Sequence, residues 1–383
     1  MLIIPIFFSI LIFVIAIHLA YPLLLKRLAR KATIPMPNDN SGDEYLSIEF
    51  PKVSILIPVY NEESMIENRI NNIFQSNYPK DKIEVIVIDS GSDDKTPLII
   101  QSKFQDRVTL ITEAARSGKA HAINLGLQSA RGEIIILTDG TALYDKETIL
   151  QLVKPFSDDT IGAVSAFYDV PNSDDSHVTA SERKFWIFKD KLRLLESIVE
   201  STSWLSGEAC AFRNKFKVKI HEDTLADDSN IALQLIYKGQ RVVVNKNARF
   251  RERSPTEFSD YIKIKSRRAL GGLLETLRFK SLLFNRKYGY FGMIIFPYRF
   301  FVCLLSPILS CMLLGFAFLT IFELVSTTGF FSVALLGIGL ILIVILCKDL
   351  FSTFFYTQLI TIIALFWLVG GKKDVRWTRS KTR

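Results

Sequence analysis

Gly132-Glu133-Ile134-Ile135-Ile136-Leu137-Thr138-Asp139-Gly140 carries four consecutive apolar residues that stop at a hydroxyl and a carboxylate. An unbroken apolar run of strand length, rather than an alternating one, marks a strand buried on both faces, and such strands belong to parallel α/β sheets. Taken alone, Asp139-Gly140 is an ordinary turn dipeptide. Three further stretches repeat the pattern: VSILIPVY (53–60), IEVIVIDS (83–90) and RVTLITE (107–113). Polar, helix-compatible segments separate them, so the middle of the chain reads as alternating β and α elements.

Ligands of such sheets bind beyond the carboxyl ends of the strands. The first strand ends in Pro58-Val59-Tyr60-Asn61-Glu62-Glu63 and the second in Asp89-Ser90-Gly91-Ser92-Asp93-Asp94-Lys95-Thr96. Ala115-Arg116-Ser117-Gly118-Lys119-Ala120 follows the third, and Asp139 closes the fourth. Any one of these reads equally as a helix cap or turn. Four together read as a nucleotide site, with carboxylates for ribose or a metal and a Gly-Lys for a diphosphate. Neither GxGxxG nor GxxxxGK[ST] occurs, which argues against dinucleotide and P-loop binding.

The 383 residues are 49% hydrophobic with a mean hydropathy of +0.24, and the apolar excess lies at the two ends. Leu2 to Leu25 contains no charged side chain, enough to cross ~30 Å of hydrocarbon at ~1.5 Å per residue. Lys26, Arg27, Arg30 and Lys31 follow at once, with no basic stretch before and no small-residue cleavage site after. That reads as a retained anchor with its basic flank in the cytoplasm. From 291 to 371 the chain is again apolar, broken by Arg299, Glu323 and Lys348-Asp349, and membrane helices are expected near 302–323, 330–347 and 351–370. This count would leave the basic tail 372–383 outside, against the positive-inside rule, so the parity stays open. Cys210, Cys303, Cys311 and Cys347 form no CxxC pair, so neither a disulfide framework nor a zinc site is suggested. The net charge of +8 comes from clusters at 26–31, 263–287 and 372–383, all flanking apolar segments. Membrane lipids rather than nucleic acid are the expected partner. The segment 258–290 combines eight lysines and arginines with Leu270, Leu273, Leu274 and Leu277 at helical spacing, the pattern of an interfacial amphipathic helix.

In order, VSILIPVYNEE, VIDSGSDDKT, RSGKAHAINLGLQSARGEIIILTDG, LSGEACAFR (205–213), LADDSNIALQLIYKGQRVVV (225–244) and SRRALGG (266–272) resemble the GT-A domain of family 2 nucleotide-sugar glycosyltransferases. The likeness covers about residues 52–272 and extends to the membrane-embedded branch with the cellulose, chitin and hyaluronan synthases. It implies an α/β GT-A catalytic domain, Rossmann-like with a mostly parallel sheet, plus α-helical transmembrane and interfacial helices. The implied division is an anchor at 1–26, a linker at 27–51, the GT-A domain at 52–257, amphipathic interfacial helices at 258–290, membrane helices at 291–371 and a basic tail at 372–383. The implied activity is inverting, metal-dependent transfer of a sugar from a nucleotide-sugar, expected to be a UDP-sugar, to a lipid-linked or glycan acceptor. The reaction would take place at the cytoplasmic face of a multi-pass membrane protein.

The resemblance also assigns roles. Tyr60, Asn61, Glu62 and Asp89 match the positions that hold nucleobase and ribose, with Pro58 leading into them. Lys119 matches the lysine near the nucleotide, and Asn124 lies on the same helix. Asp139 matches the first Asp of DxD, which holds Mg²⁺ or Mn²⁺ on the diphosphate. Asp228 matches the last residue of TED, the catalytic base, and Arg268 the arginine of QxxRW. Trp204, Gly207 and Glu208 fall on the acceptor side, where Trp204 reads equally as a packing residue. One carboxylate base and cations for the leaving diphosphate are what an inverting displacement needs.

The departures carry weight too. Gly140-Thr141 replaces the second DxD carboxylate, leaving Thr141 as a weak substitute ligand. QxxRW reads Lys265-Ser266-Arg267-Arg268-Ala269, without the Trp at the acceptor entrance of the processive synthases. ADD for TED leaves the base open between Asp228 and Asp227. A single-addition transferase is therefore favoured over a polysaccharide synthase that extends a polymer. A non-catalytic nucleotide-sugar-binding scaffold is the alternative from another class. His121 reads as a helix residue beside Lys119 rather than a metal ligand.

Overall fold

The computed structural model describes residues 3–32, 50–328 and 348–371. The expected helix at 330–347, the tail 372–383 and most of the linker 27–51 lie outside the described residues.

Four strands fall where the apolar runs predict: β1 (Val53–Val59), β2 (Ile83–Asp89), β3 (Val108–Thr112) and β4 (Ile134–Leu137). They are parallel, in the spatial order β3-β2-β1-β4. Their side chains alternate between two cores. Ile55, Ile57, Val85, Val87, Ile134 and Ile136 enter one, while Leu56, Ile86, Ile88, Ile135 and Leu137 enter the other. Each fully buried side chain of this kind contributes ~1.5–3 kcal/mol, and burial on both faces is why the runs lack alternation. Helices α2 (Ile66–Phe74) and α3 (Thr96–Phe104) cover the first face, and α4 (Lys119–Ser129) covers the second.

Beyond β4 the sheet ceases to be parallel. The short strands β5 (Leu143–Tyr144) and β7 (Cys210–Arg213) and the longer β6 (Ile161–Asp169) and β8 (Arg241–Arg251) complete an eight-stranded sheet, ordered β3-β2-β1-β4-β7-β6-β8-β5. β7 runs antiparallel to both β4 and β6, β6 and β8 are parallel, and β5 is antiparallel to β8. A mixed half thus joins the expected parallel half. β1 and β4 part after the pair Leu56–Leu137, and a crevice opens where the strand order reverses. Pro58 lies just past that last pair, where a missing N–H is tolerated. The helices of the mixed half are α5 (Thr148–Val153), α6 (His177–Val199), α7 (Asp227–Tyr237) and α8 (Phe258–Arg278).

Among the described residues, two helical runs, Ile4–Ala29 and Phe291–Ile321, are long and apolar enough to cross a membrane. The first lies in α1 (Ile3–Ala29). The second starts eleven residues before the expected 302, in π-helical turns at Phe291–Ile295 and Phe301–Leu305 around α9 (Phe296–Phe300), and continues as α10 (Ser306–Thr328). A last helix, α11, spans Lys348–Val369.

Polar bonds latch these helices to the α/β domain. The Tyr21 hydroxyl of α1 donates to buried Glu196 of α6 at 2.7 Å, and its ring stacks on Tyr298 with centroids 3.5 Å apart. Arg299, the charge that interrupts the apolar run, is buried and donates to Ser203 O (2.6 Å), Thr276 Oγ1 (2.9 Å) and Gly272 O (3.3 Å). On α8, Leu270 and Leu273 are each 1% exposed, covered by protein. The helix packs against α7 and α11, and it turns Arg268 toward the crevice.

Candidate active site

At the β1 and β2 ends two loops interlock. Asn61 takes a left-handed conformation (φ +56°), which asparagine tolerates better than most residues. Its N–H donates to Ser92 Oγ at 2.9 Å, its amide to Asp93 Oδ1, and it accepts from Asp93 N at 3.0 Å. Glu62 N donates to Thr96 Oγ1 at 2.8 Å. Asp89 is fully buried, and its carboxylate accepts from the Ser92 hydroxyl and N–H. The Arg116 guanidinium lies 4.0 Å above the Tyr60 ring. The structure thus brings Tyr60, Asn61, Glu62 and Asp89 together, with Asp89 bonded within its own loop and Glu62 only 2% exposed.

Gly118, at φ +102°, sets the start of α4 in a conformation that glycine alone adopts freely. Lys119 is therefore the first residue of that helix, where the dipole disfavours a cation. Two carboxylates offset the cost: Asp139 Oδ1 lies 2.8 Å and Asp227 Oδ2 3.4 Å from the Lys119 ammonium. Burial works to lower the lysine's pKa, but Asp139 and Asp227 outweigh it and hold the ammonium well above its ordinary range. Gly207 forms the floor, and a Cβ there would lie 3.5 Å from Asp227 Oδ2, 3.6 Å from Asp228 Cβ and 3.8 Å from Lys119 Nζ.

Asp227 and Asp228 open α7, where acids suit the helix N-terminus. Their environments differ. Asp227 faces Lys119, whereas burial, then the Asp227 and Glu208 carboxylates, push Asp228 up to about 6. One Asp228 oxygen accepts from Ser229 N at 2.6 Å. Arg268 Nη2 donates to Glu208 Oε1 at 2.8 Å, so the arginine of the degenerate QxxRW motif reaches the same crevice.

Thr141 departs from its expected part. Its hydroxyl donates to Glu252 Oε1 rather than opening toward Asp139. Glu252 is one residue the sequence reading missed. It lies just past the end of β8, 3% exposed, so a carboxylate absent from position 141 is supplied beside it by a distant strand. ARFRERSP around it carries no motif, and only the pairing of β8 with β5 and β6 brings it here.

Arg69, also unread, fixes the Asp139 turn from below. Fully buried on α2, it donates to Asn72 Oδ1 and Thr138 Oγ1, each at 2.8 Å, and lies 4.0 Å above the Tyr144 ring. The Thr138 and Tyr144 hydroxyls both donate to Glu208 O, at 2.8 and 3.1 Å. Arg69→Ala should lower stability by roughly 2–4 kcal/mol through the cavity and the stranded hydrogen bonds. An unchanged unfolding temperature would show the network to be dispensable.

Among the described residues, no three His, Cys, Asp or Glu side chains converge as a metal cage. Asp139 Oδ1 is buried, with the Lys119 ammonium 2.8 Å away. One such oxygen fits a divalent cation whose other ligands arrive with a diphosphate and water.

Residues 54–217 match the family model Glycosyl transferase family 2. A probable glycosyltransferase of Bacillus subtilis, YdaM, is 25% identical over 280 residues, covering 68% of this chain and 65% of the relative. A beta-monoglucosyldiacylglycerol synthase of Trichormus variabilis is 32% identical over 136 residues, 34% of this chain and 29% of that protein. The chain thus spans less than two thirds of either relative's length. A mannosyltransferase from Pyrobaculum calidifontis, PcManGT, solved with GDP-Man and Mn²⁺, superposes with a TM-score of 0.74 at 28% identity, covering 95% of this chain and 99% of that one.

Proposed function

We propose, from the premise that the chain carries a family 2 glycosyltransferase domain with the GT-A fold, that it is a membrane-anchored inverting glycosyltransferase. It would move one sugar from a nucleotide-sugar to a lipid-linked or glycan acceptor. The observation that carries this reading is Lys119 set between Asp139 and Asp227, with Asp228 beside them at the crevice.

In this reading the acceptor hydroxyl gives its proton to Asp228 as its oxygen forms a bond to the anomeric carbon. The bond from that carbon to the diphosphate breaks, and the nucleoside diphosphate leaves with the electron pair. A single displacement inverts the centre and needs only one base. Lys119 and Arg268 supply positive charge where the leaving group gains negative charge. A Mg²⁺ or Mn²⁺ held on Asp139 would add Lewis-acid neutralisation of that diphosphate. Glu252, through Thr141, would fix the turn that presents Asp139. The anchor at 1–26, the helices from 291 and the basic face of 258–290 would hold the crevice at the cytoplasmic membrane surface.

A glycolipid-forming relative supports the lipid-linked acceptor. A structure with GDP-Man sets a guanosine donor beside the uridine donor expected from the sequence. A screen of UDP-, GDP- and dTDP-sugars for nucleotide release should find one active class, and no release with any donor would sink the catalytic reading. Products should carry a single added sugar, and a polymer ladder would favour the synthase alternative. Because Asp139 Oδ1 is already against an ammonium, the apo protein should bind Mn²⁺ weakly and the nucleoside diphosphate should tighten it. Tight binding by the apo protein would contradict this arrangement.

A further inference from the structure

Glu275 of α8 is a carboxylate with no exposure to solvent, and a buried charge is costly unless donors surround it. Two of its donors come from the segment that presents Asp227 and Asp228. The Thr224 hydroxyl donates to Glu275 Oε1 at 2.7 Å and accepts from Ala226 N at 3.2 Å. Asn230 Nδ2 donates to Glu275 Oε2 at 2.7 Å. Asn230 N in turn donates to Ala226 O at 2.9 Å and closes the first turn of α7. The third donor is Arg278, one turn further along α8. Its Nη1 reaches Glu275 Oε1 at 2.9 Å, and its Nη2 reaches Asp223 Oδ2 at 2.6 Å. One carboxylate therefore grips both ends of the turn 226–230, and the two aspartates lie between its grips.

The backbone of α8 presses on the same segment. A Cβ at Gly271 would lie 2.9 Å from Leu225 C and O and 3.0 Å from Ala226 Cβ, so only glycine permits this approach. Two turns before Glu275, on the same side of the helix, Arg268 donates to Glu208 in the crevice. The helix thus sets the spacing between that guanidinium and the aspartates of α7. Arg299 of α9 donates to Gly272 O and Thr276 Oγ1, which ties the second apolar run to α8 beside Glu275. A well-packed apolar side chain would fill such a site at less cost. What the carboxylate adds is orientation.

We infer that Glu275 is a positioning residue for Asp228, holding the first turn of α7 in place through Thr224 and Asn230. This rests on the reading of Asp228 as the base, and it adds the side chain that sets where the base stands. A general base works only within hydrogen-bond reach of the proton it takes, and a displacement of ~1 Å can cost about a hundredfold.

Exchanging donor and acceptor tests this without removing bulk. In Glu275→Gln an amide NH₂ faces the Asn230 NH₂, and turning Asn230 over would strand Gln234, whose Nε2 donates to Asn230 Oδ1 at 2.6 Å. Glu275→Gln should lower kcat roughly 10–100-fold and leave the donor KM within about threefold. Adding Asn230→Asp restores a donor at position 275 and an acceptor at position 230. His221 Nδ1, 2.9 Å from Asn230 Nδ2, can donate as well as accept. The double variant should therefore recover kcat to within about threefold of the parent protein. Asn230→Asp alone sets two buried carboxylates together and should be the slowest of the three.

Hydrogen exchange of the full chain in detergent reads the same grip without turnover. The Ala226 and Asn230 amides should exchange about tenfold faster in Glu275→Gln and recover in the double variant, while α4 stays as in the parent protein. Thr224→Val removes a single hydroxyl and should speed exchange at Ala226 about threefold or more, so the test survives if Glu275→Gln does not fold. Parent kcat in Glu275→Gln would overturn the proposal, as would unchanged exchange in Thr224→Val. A double variant that folds but stays as slow as Glu275→Gln would overturn it too. Failure of the transferase reading looks different: the parent protein would consume no nucleotide-sugar, and exchange at Ala226 and Asn230 would still decide whether Glu275 holds the turn.

Discussion

Asp228→Asn is expected to lower kcat by roughly 10²–10⁴-fold, the range that a positioned general base supplies, while donor binding persists. The pH profile should carry the same signature. Asp228 must be ionised to accept a proton, and burial with its acidic neighbours places its pKa at about 6. Activity should therefore climb as pH rises toward that value and level off above it. Stability should move the opposite way. A carboxyl whose pKa is raised from 3.8 to about 6 on folding binds more protons folded than unfolded in that interval, so the folded state loses stability as pH rises through it. At neutral pH the asparagine variant should unfold at a higher temperature than the parent protein while turning over far less. A variant that is both inactive and less stable would instead report damage to the α7 terminus. If Asp227→Asn abolished turnover and Asp228→Asn did not, the base would be Asp227.

Lys119→Met is expected to cost about 10²–10³-fold in kcat/KM, the loss typical of removing one preorganised group that faces developing negative charge. The same substitution has a second, opposite consequence. With the ammonium gone, Asp139 and Asp227 face the crevice without their common counter-ion, so Mn²⁺ should bind the nucleotide-free variant more tightly than it binds the parent protein. Titration of Mn²⁺ followed by electron paramagnetic resonance measures this without any turnover. Weaker metal binding in Lys119→Met would mean that the lysine supports the metal site rather than competing for it. Lys119→Arg is not a neutral control, because a planar fork cannot replace a compact ammonium between two carboxylates.

Much of this arrangement is legible in the linear chain. The unbroken runs at 53–60, 83–90, 107–113 and 132–140 announce a doubly covered parallel sheet, because a strand buried on both faces has no polar side to display. Their polar ends mark the crevice for the same reason, since that is where the sheet stops and side chains can meet a ligand. Gly118-Lys119 and Asp139 are recognisable there, as is the acidic start of the helix at 227. Two long apolar segments are equally plain. What they do with their interruptions is not: Arg299 breaks the run at 291–371 in sequence but points into the protein and grips the Trp204 loop.

The sequence by itself determined the parallel half of the sheet, the apolar ends and the residues at each strand end, because local hydrophobic patterning records burial directly. Only the tertiary structure decided how charges separated by a hundred residues share one space. It placed Lys119 between Asp139 and Asp227 and set Glu252 beside Thr141 from a strand that carries no motif. Those pairings depend on the mixed half of the sheet and on α6 and α8 closing over it. Periodicity reports which face of an element is buried, and it is silent about which buried charge will find which partner.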